Sequence, residues 1–306
     1  MQLEGIHHVT AITADAQDNV DFYAGVMGLR MVKKTVNQDD PSVYHVFFAD
    51  ERGSAGSDVT FFEFPGAPRG RAGDGMVHAI SWRVASPAAL DFWAERLDAR
   101  GIDAERDGDL LRFDDPEGLG IELRVGTAAD EPLVAEHPEV PAEHALQGFD
   151  GVRAYSSRPQ ASRALLDELD FAAAEGVEGW EARGVERGGL YVYDEPPADP
   201  GLQGAGTVHH VAWASTIDEH EAWRDRALAG GARPTPVIDR FYFKSIYFRE
   251  PSGVLFEIAT LGPGFAVDEP LESLGEKLSL PPDYEHLRTQ VETNLKPIRS
   301  PRQVDG

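Results

Sequence analysis

Two stretches of the sequence decide the fold: GMVHAISW at residues 75–82 and GTVHHVAW at residues 206–213. Each is followed by a helical pattern rich in Trp, Ala and Leu that ends at a glycine, over residues 87–101 and 217–231. Each unit then closes on a matching segment, FDDPEGLGIEL from residue 113 or FREPSGVLFEI from residue 248. The two stretches are therefore copies of one internal repeat.

Two weaker copies complete the pattern. The first module has a β-rich run, an amphipathic helix closed by Gly28 and three further strand-like runs, at residues 6–12, 20–27, 30–36, 43–49 and 58–64. The third module has the same order in fainter form, at residues 149–156, 160–169 and 189–193. Every module therefore has the predicted order strand–helix–strand–strand–strand.

A single module leaves one face of a curved sheet uncovered, and two modules side by side form a half-barrel around a cavity. The predicted fold is therefore α+β, with four βαβββ modules paired into two half-barrel-like domains. We expect an N-terminal domain with modules 1 and 2, a linker, a C-terminal domain with modules 3 and 4, and a polar tail with one short helix, at residues 1–126, 127–145, 146–262 and 263–306.

Charge and length limit the function classes. The 306 residues include 53 Asp and Glu against 28 Lys and Arg, a formal net charge of −25 that repels nucleic acid and anionic membranes. The sequence has no long apolar stretch and no signal-peptide pattern, so we expect a soluble, cytoplasmic protein. Dispersed acidic residues with only five lysines indicate adaptation to high salt. Four modules make a monomer feasible and leave homo-oligomer formation open.

Cysteine is absent, so any metal must be held by His, Asp or Glu. Modules 1 and 4 open with histidine pairs, His7-His8 and His209-His210, on strands that are otherwise apolar. Neighbours on a strand point to opposite faces, so one histidine of each pair can enter the cavity. A lone histidine in such a strand is more often a core residue. Two histidines at equivalent positions of paired modules instead favour convergence of the two imidazoles on a shared partner.

A third candidate ligand is Glu257, within the apolar strand VLFEIA, where an unpaired carboxylate would carry a large desolvation cost. The alternatives are a salt bridge to Arg240 or Arg249, or ligation of a metal by the carboxylate. Module 2 has Glu122 at the equivalent place but Ala79 instead of a histidine. Two imidazoles and one carboxylate leave open positions on an octahedral metal, typical of Fe(II) or Mn(II).

These residues carry a resemblance to a known family. The segments at residues 5–10, 208–212 and 241–260 resemble the vicinal oxygen chelate superfamily, which includes glyoxalase I, bleomycin-resistance proteins and extradiol dioxygenases. More narrowly, the chain is similar to ring-cleaving dioxygenases that act on hydroquinones. The resemblance covers roughly residues 4–262.

The resemblance implies a specific site. Its metal ligands would be the second histidine of each pair together with the glutamate: His8, His210 and Glu257. Around them it implies acid–base and anion-holding residues: Thr10, His209, Arg240 and Tyr247. The implied cofactor is Fe(II) or Mn(II), and the implied substrates are a small aromatic diol and O2. The aromatic residues 241–243 could line the pocket or belong to the core.

Three alternatives remain open at this point. A glyoxalase-type lyase or isomerase would need a fourth protein ligand, for which Glu63 is the candidate. A non-catalytic binding or resistance protein would use the same cavity without a metal. An extradiol enzyme for catechols fits the same ligands, because the shape of the pocket decides between 1,2- and 1,4-diols.

Overall fold

The structure is a computed structural model that describes residues 1–300. This part of the chain contains strands β1 (Ile6–Thr13), β2 (Arg30–Asn37), β3 (Asp40–Ala49), β4 (Asp58–Glu63), β5 (Val77–Val84), β6 (Ala104–Asp107), β7 (Leu110–Asp114), β8 (Gly120–Val125), β9 (Phe149–Tyr155), β10 (Ala172–Ala173), β11 (Gly179–Arg183), β12 (Gly188–Asp194), β13 (Val208–Ser215), β14 (Ile238–Asp239), β15 (Lys244–Arg249) and β16 (Leu255–Thr260).

Its α-helices are α1 (Ala16–Asn19), α2 (Pro87–Asp98), α3 (Arg163–Glu168), α4 (His220–Ala229) and α5 (Arg288–Asn294). A π-helix (Val20–Val26) continues α1, and shorter 3₁₀ turns comprise Pro159–Ser162, Phe265–Val267, Leu271–Ser273 and Pro282–Leu287. The mixed α+β class and the repeated strand–helix–strand order are confirmed. The helices predicted at 87–101, 160–169, 217–231 and 284–295 all have counterparts, with shorter α-helical segments.

The strands form two sheets of eight. One sheet has the order β14-β15-β16-β13-β1-β4-β3-β2, and the other has the order β10-β11-β12-β9-β5-β8-β7-β6. The first sheet therefore joins module 1 to module 4, and the second joins module 2 to module 3. At the two junctions β1 runs antiparallel to β13 and β5 runs antiparallel to β9.

This pairing differs from the grouping expected from the sequence, which placed modules 1 and 2 in one domain and modules 3 and 4 in another. Modules 1 and 2, and likewise modules 3 and 4, lie in different sheets, because the edge of β1 pairs with β13 and the edge of β5 pairs with β9. Each sheet contains strands from both sides of the expected linker at residues 127–145. The expected division of the chain into two domains therefore stays a prediction about chain organisation and does not describe the sheets.

The repeat extends to the packing of the core. Trp82 and Trp213 lie on the equivalent strands β5 and β13, and Trp93 and Trp223 lie on the equivalent helices α2 and α4. All four side chains are buried. Burial of indole rings at equivalent positions supplies much of the apolar contact between helices and sheets. The core therefore fixes both copies of the module in the same geometry.

The tail covers the outer edge of the first sheet. Leu278 forms a β-bridge with Lys34 on β2, and the Ser279 amide donates to the Lys34 carbonyl (2.9 Å). The Lys33 ammonium is buried and donates to Asp268 (2.8 Å) and Glu269 in the tail. Covering an edge strand prevents pairing with other chains. The same contacts hold the tail against β2.

Candidate metal centre

Three strands of the first sheet bring His8, His210 and Glu257 together. Strand β1 pairs His8 with Ala212 on β13, and β13 pairs the same Ala212 with Glu257 on β16. Residue His210 lies two positions before Ala212 and therefore on the same face of β13. The predicted convergence of β1 with the last module is thus a direct result of strand register.

The three side chains meet at one point. The Nε2 atoms of His8 and His210 lie 3.2 Å apart, and the Oε2 atom of Glu257 lies 3.2 Å and 2.9 Å from them. All three residues are buried, and Glu257 is 0% exposed. Their ligand atoms lie within 4.8 Å of one another. Residues 1–300 hold one such cluster, and it consists of the three predicted ligands.

The surroundings of Glu257 fit a cation. Neither of its carboxylate oxygens accepts a well-directed hydrogen bond within the described chain. Burial acts to raise the pKa of Glu257, but the interactions with His8 and His210 outweigh it and hold that pKa well below its usual value. The carboxylate is therefore ionised, and a buried, poorly bonded anion is stable only beside a compensating charge.

A salt bridge to an arginine does not supply that charge. Arg240 pairs with Asp39 through both terminal nitrogens (3.1 Å and 3.0 Å), and Arg249 donates to the Gly253 carbonyl (2.8 Å). Both arginines that the sequence offered as partners of Glu257 are thus bonded elsewhere. The chemistry of two imidazoles and one carboxylate matches a metal ion, and these side chains can hold one.

The first histidine of each pair orients the second. The Nε2–H of His7 donates to the carbonyl of Thr260 (3.2 Å), because a carbonyl oxygen only accepts. The Nδ1 atom of His7 is then an acceptor for the Nδ1–H of His8, at 2.9 Å. This leaves the Nε2 lone pair of His8 directed toward the cluster, as a metal ligand requires.

The second pair repeats this contact. The Nδ1 atoms of His209 and His210 lie 2.8 Å apart. Burial, followed by repulsion from the adjacent histidine, lowers the pKa of His7 to about 3 and that of His209 to about 4. Both imidazoles are therefore neutral near pH 7, and the Nδ1 atom of each can accept a hydrogen bond from the Nδ1–H of the adjacent ligand histidine.

The four surrounding residues predicted from the resemblance fall into two groups. Arg240 and Tyr247 line the cavity beside the ligands, whereas Thr10 and His209 are not part of its lining and contact Thr60 (2.8 Å) and His210 (2.8 Å). The Arg240 guanidinium lies 5.5 Å from the centroid of the Tyr247 ring. Burial, followed by the charge of Glu257, raises the pKa of Tyr247, so its phenol is protonated near neutral pH. Both residues are therefore cavity walls rather than surface groups.

The remaining wall combines aromatic and polar side chains. Of residues 241–243, Tyr242 and Phe243 line the cavity, whereas Phe241 packs against a small neighbouring core. The other lining residues are Thr35, Asn37, Gln38, Asp39, His45, Phe47 and Phe62. Flat apolar walls with a few convergent polar groups are typical of a site for a small aromatic molecule.

Glu63 is not a fourth ligand. Strand β4 aligns Glu63 with Thr13 at the end of β1, and its carboxylate accepts the backbone N–H of Ala16 (3.0 Å). The preceding residue, Phe62, faces the cavity instead. Successive residues on a strand face opposite sides of the sheet. Because Phe62 faces the cavity, Glu63 faces away from it and from the ligand cluster.

Sequence reasoning missed two residues beside the ligands, His45 and Thr60. The Nε2 atom of His45 lies 2.8 Å from the Thr60 hydroxyl, which lies 2.8 Å from the Thr10 hydroxyl. The available signal was a polar residue inside each of two apolar strands, VYHVFF and DVTFF.

The second half-barrel lacks the ligand set. Glu122 matches Glu257 in register, but Ala79 stands in place of His210, and Gly151 pairs with Ser81 as His8 pairs with Ala212. Charged and hydroxyl side chains satisfy the Glu122 carboxylate instead: Ser81 (2.8 Å), Arg112 (3.1 Å), Arg124 (3.5 Å) and Arg153 (3.8 Å). Equivalent carboxylates are thus neutralised by arginines in one sheet and left for a cation in the other.

Comparison with known proteins identifies the family of this chain. The family model for the glyoxalase/bleomycin resistance protein/dioxygenase superfamily matches residues 5–123 and 149–258, and the chain belongs to this superfamily. Its fold is the vicinal oxygen chelate fold. None of the helices within residues 1–300 has the length and apolar character needed to span a membrane.

Named relatives indicate which enzymes of the superfamily this chain is similar to. The chain is 43% identical over 302 residues to "Putative ring-cleaving dioxygenase MhqO" of Bacillus subtilis (strain 168), covering 96% of each chain. It is 32% identical to the chlorohydroquinone/hydroquinone 1,2-dioxygenase of Sphingobium indicum, covering 95% of each. The crystal structure of a "putative dioxygenase" from Bacillus subtilis superposes with a TM-score of 0.90 at 41% identity, covering 98% of each chain.

Proposed function

We propose that this protein is a metal-dependent dioxygenase that opens the ring of a hydroquinone-type aromatic diol with O2. The observation that carries the proposal is the buried cluster of His8, His210 and Glu257, in which three protein ligands face an aromatic cavity and Glu63 is directed away. Three ligands on one face leave positions open for a diol and for O2. The similarity to a chlorohydroquinone/hydroquinone 1,2-dioxygenase over 95% of the chain supports the substrate class.

The metal in this proposal is Fe(II), with Mn(II) as the alternative, held by the two Nε2 atoms and the Glu257 carboxylate. When bound, such an ion supplies Lewis acidity toward a phenol oxygen and a common point of attachment for diol and O2. His7 and His209 keep the ligand imidazoles in the orientation that binding requires, through the two Nδ1 contacts.

The chain's own residues perform the remaining tasks. Arg240 stays charged at all physiological pH values and is placed to hold an anionic oxygen of the substrate. Tyr247 carries a phenolic proton and lies next to that guanidinium, so it can donate a proton during ring opening. His209 is neutral and is the second acid–base candidate, with its Nδ1 atom 2.8 Å from Nδ1 of His210. Thr10 acts indirectly, through its hydrogen bond to Thr60.

The aromatic walls position the ring and exclude water. The ring of Phe243 lies 5.1 Å from that of His8, and the ring of Phe62 lies 6.3 Å from that of His210. A flat substrate between such walls keeps one edge toward the ligands, and exclusion of water strengthens each polar interaction in the site.

Conditions and location are part of the proposal. The excess of 53 acidic residues over 28 basic residues supports function in a cytoplasm of high ionic strength, where counterions screen the repulsion between the acidic side chains. Activity that rises with salt, at constant substrate concentration, is the expected behaviour. The same charge argues against nucleic acid or membrane partners, and a homo-oligomer is compatible with the fold.

The test is anaerobic reconstitution with Fe(II) or Mn(II), followed by oxygen uptake with hydroquinone, catechol and their chlorinated or methylated forms. We expect stoichiometric consumption of O2 and a ring-opened product, with hydroquinones preferred. The variant His8→Ala should lose both metal and activity, while Glu122→Gln in the other sheet keeps both. A preference for catechols would contradict the proposed substrate class. Turnover of a hemithioacetal without O2 uptake would contradict the proposed reaction and indicate a glyoxalase-type enzyme.

A further inference from the structure

One buried hydroxyl in the cavity wall has no partner. Among the buried polar side-chain atoms that line the cavity within residues 1–300, those of Glu257 and Thr35 make no well-directed hydrogen bond. Thr35 lies on β2 and is 2% exposed. A buried hydroxyl without a partner carries a desolvation cost, and such groups are rare in native proteins. The carboxylate of Glu257 fits a cation, and the neutral hydroxyl of Thr35 fits a neutral polar group of a ligand.

The polar side chains that follow Thr35 in the β2–β3 turn are bonded to the protein itself. The side-chain carbonyl of Asn37 accepts the backbone N–H of Asp39 (2.9 Å). The side-chain amide of Gln38 donates to the backbone carbonyl of Arg240 (2.8 Å). These bonds shape the turn over the cavity, whereas the hydroxyl of Thr35 contributes no such bond.

The two polar neighbours of the Thr35 hydroxyl also have partners of their own. His45 lies opposite Thr35 in the register of β2 and β3, and its Nε2 atom lies 2.8 Å from the Thr60 hydroxyl. The phenol of Tyr242 lies beside the Thr35 hydroxyl and donates its proton to Asp268 (3.0 Å). That proton is therefore not available to Thr35. The lone pairs of the Thr35 oxygen remain free to accept a hydrogen bond from a ligand hydroxyl.

Thr35 lies at the end of the cavity away from the metal ligands. The ligands are on β1, β13 and β16, whereas β2 is the last strand of the same sheet, three strands beyond β1. The ring of Phe62 lies between the two ends. It is 6.3 Å from the ring of His210 and 4.3 Å from the ring of His45, which is opposite Thr35. A flat molecule along this wall has the ligand cluster at one edge and Thr35 at the other.

The position of the second hydroxyl distinguishes aromatic diols in such a cavity. When one oxygen of a catechol binds at the ligand cluster, the second oxygen lies next to it on the ring. In a hydroquinone the second oxygen lies on the opposite side of the ring, so an O–H reaches the far end of the cavity. A site that bonds a substrate hydroxyl discriminates against molecules without it, because its own buried polar group is then left unpaired.

We propose that Thr35 accepts a hydrogen bond from the second hydroxyl of the aromatic diol and thereby selects 1,4-diols over 1,2-diols, an inference that rests on the function proposed above. The hydroxyl that is unpaired in the free protein gains its partner in the complex with a hydroquinone. Complexes with catechol or with phenol leave it unpaired. Thr35 is therefore a specificity-determining residue, remote from the ligand cluster and from the oxygen that binds there.

The test compares the variants Thr35→Val and Thr35→Ser with wild type. The matched control is Thr13→Val, because Thr13 is a buried strand threonine of the same half-barrel that does not line the cavity and donates to the carbonyl of Asp15 (3.2 Å). Anaerobic calorimetry on metal-loaded protein measures the Kd for hydroquinone, catechol and phenol. Metal content, oxygen-uptake kinetics with both diols and the thermal unfolding midpoint of the metal-free protein are measured on the same preparations.

We expect Thr35→Val to weaken hydroquinone binding by about tenfold and to leave the Kd for catechol and phenol within about twofold of wild type. The kcat/KM for hydroquinone relative to catechol should fall by a similar factor. Thr35→Ser and Thr13→Val should keep both ratios. The unfolding midpoint should fall in Thr13→Val, which loses a hydrogen bond, but not in Thr35→Val, which replaces an unpaired hydroxyl by a methyl group.

Three outcomes overturn the inference. One is a hydroquinone-to-phenol affinity ratio in Thr35→Val that stays within about twofold of wild type. Another is an equal loss of affinity for all three molecules, which would give Thr35 a role in the shape of the cavity alone. The third is loss of metal from Thr35→Val. Wild-type protein that binds no diol, consumes no O2 or prefers catechol is a different failure, because it rejects the proposed function before the variants are compared.

Discussion

Substitution of the two equivalent glutamates separates the metal centre from its structural copy. Both Glu257→Gln and Glu122→Gln remove one negative charge from a buried strand position with almost no change in shape. Glu257 has two imidazole neighbours and Glu122 has three arginines within 3.8 Å. The two variants should therefore fail in different ways.

For Glu257→Gln the loss is in metal affinity. Outer partners of metal ligands are worth about 10–100-fold in affinity. Removal of one of three direct ligands must cost more than about 100-fold, which corresponds to at least about 2.7 kcal/mol. For Glu122→Gln the loss is in the free energy of unfolding. Because Arg112 and Arg124 are 43% and 37% exposed, we expect about 1–2 kcal/mol.

Anaerobic metal titration and urea unfolding of the metal-free proteins measure the two quantities. Wild-type affinity in Glu257→Gln, or loss of metal from Glu122→Gln, would refute the assignment of the cluster. Equal unfolding free energies for wild type and Glu122→Gln would refute the view that arginines, and not a cation, satisfy the second carboxylate.

Three further predictions follow from individual contacts. Arg240→Gln should lower kcat/KM for hydroquinone by about 10–100-fold through loss of a charge-assisted hydrogen bond, and unchanged steady-state kinetics would contradict its role. Glu63→Gln should keep its metal and change the free energy of unfolding by less than about 1 kcal/mol, because the amide oxygen still accepts the backbone N–H of Ala16; metal loss on titration would make Glu63 a ligand. Burial acts to raise the pKa of Asp194, but His78 and Arg153 outweigh it and lower that pKa from 3.8 to about 2. Ionised Asp194 therefore stabilises the fold above pH 3.8, and this stability is lost between pH 3.8 and about 2. Asp194→Asn should cost about 1 kcal/mol at pH 7, after allowance for partial exposure, and progressively less below pH 4 in urea unfolding; a constant difference would contradict the pKa.

The sequence predicted the parts of the site that the repeat carries. The equivalence of His8 and His210 follows from alignment of the repeated motifs. The same alignment shows that Glu257 is an ionisable residue within an apolar strand. Strand alternation limited each pair to one inward histidine but did not select it. The resemblance selected His8 and His210, and the Nδ1 contacts of His7 and His209 give the physical reason.

Features that depend on strand order were outside the reach of the sequence. The pairing of modules 1 and 4 joins strands about 200 residues apart, and no local pattern encodes which edge a strand joins. The contact between His45 and Thr60 arises between two neighbouring strands whose register must first be known. The direction of Glu63 depended on a register of one residue.

The most direct measurement is anomalous diffraction from crystals grown anaerobically with Fe(II) or Mn(II). Our account predicts one ion per chain, at about 2.0–2.3 Å from Nε2 of His8, Nε2 of His210 and a carboxylate oxygen of Glu257, with its other ligands drawn from solvent or substrate. An ion bound elsewhere, or one that carries a fourth ligand from the protein, would contradict it.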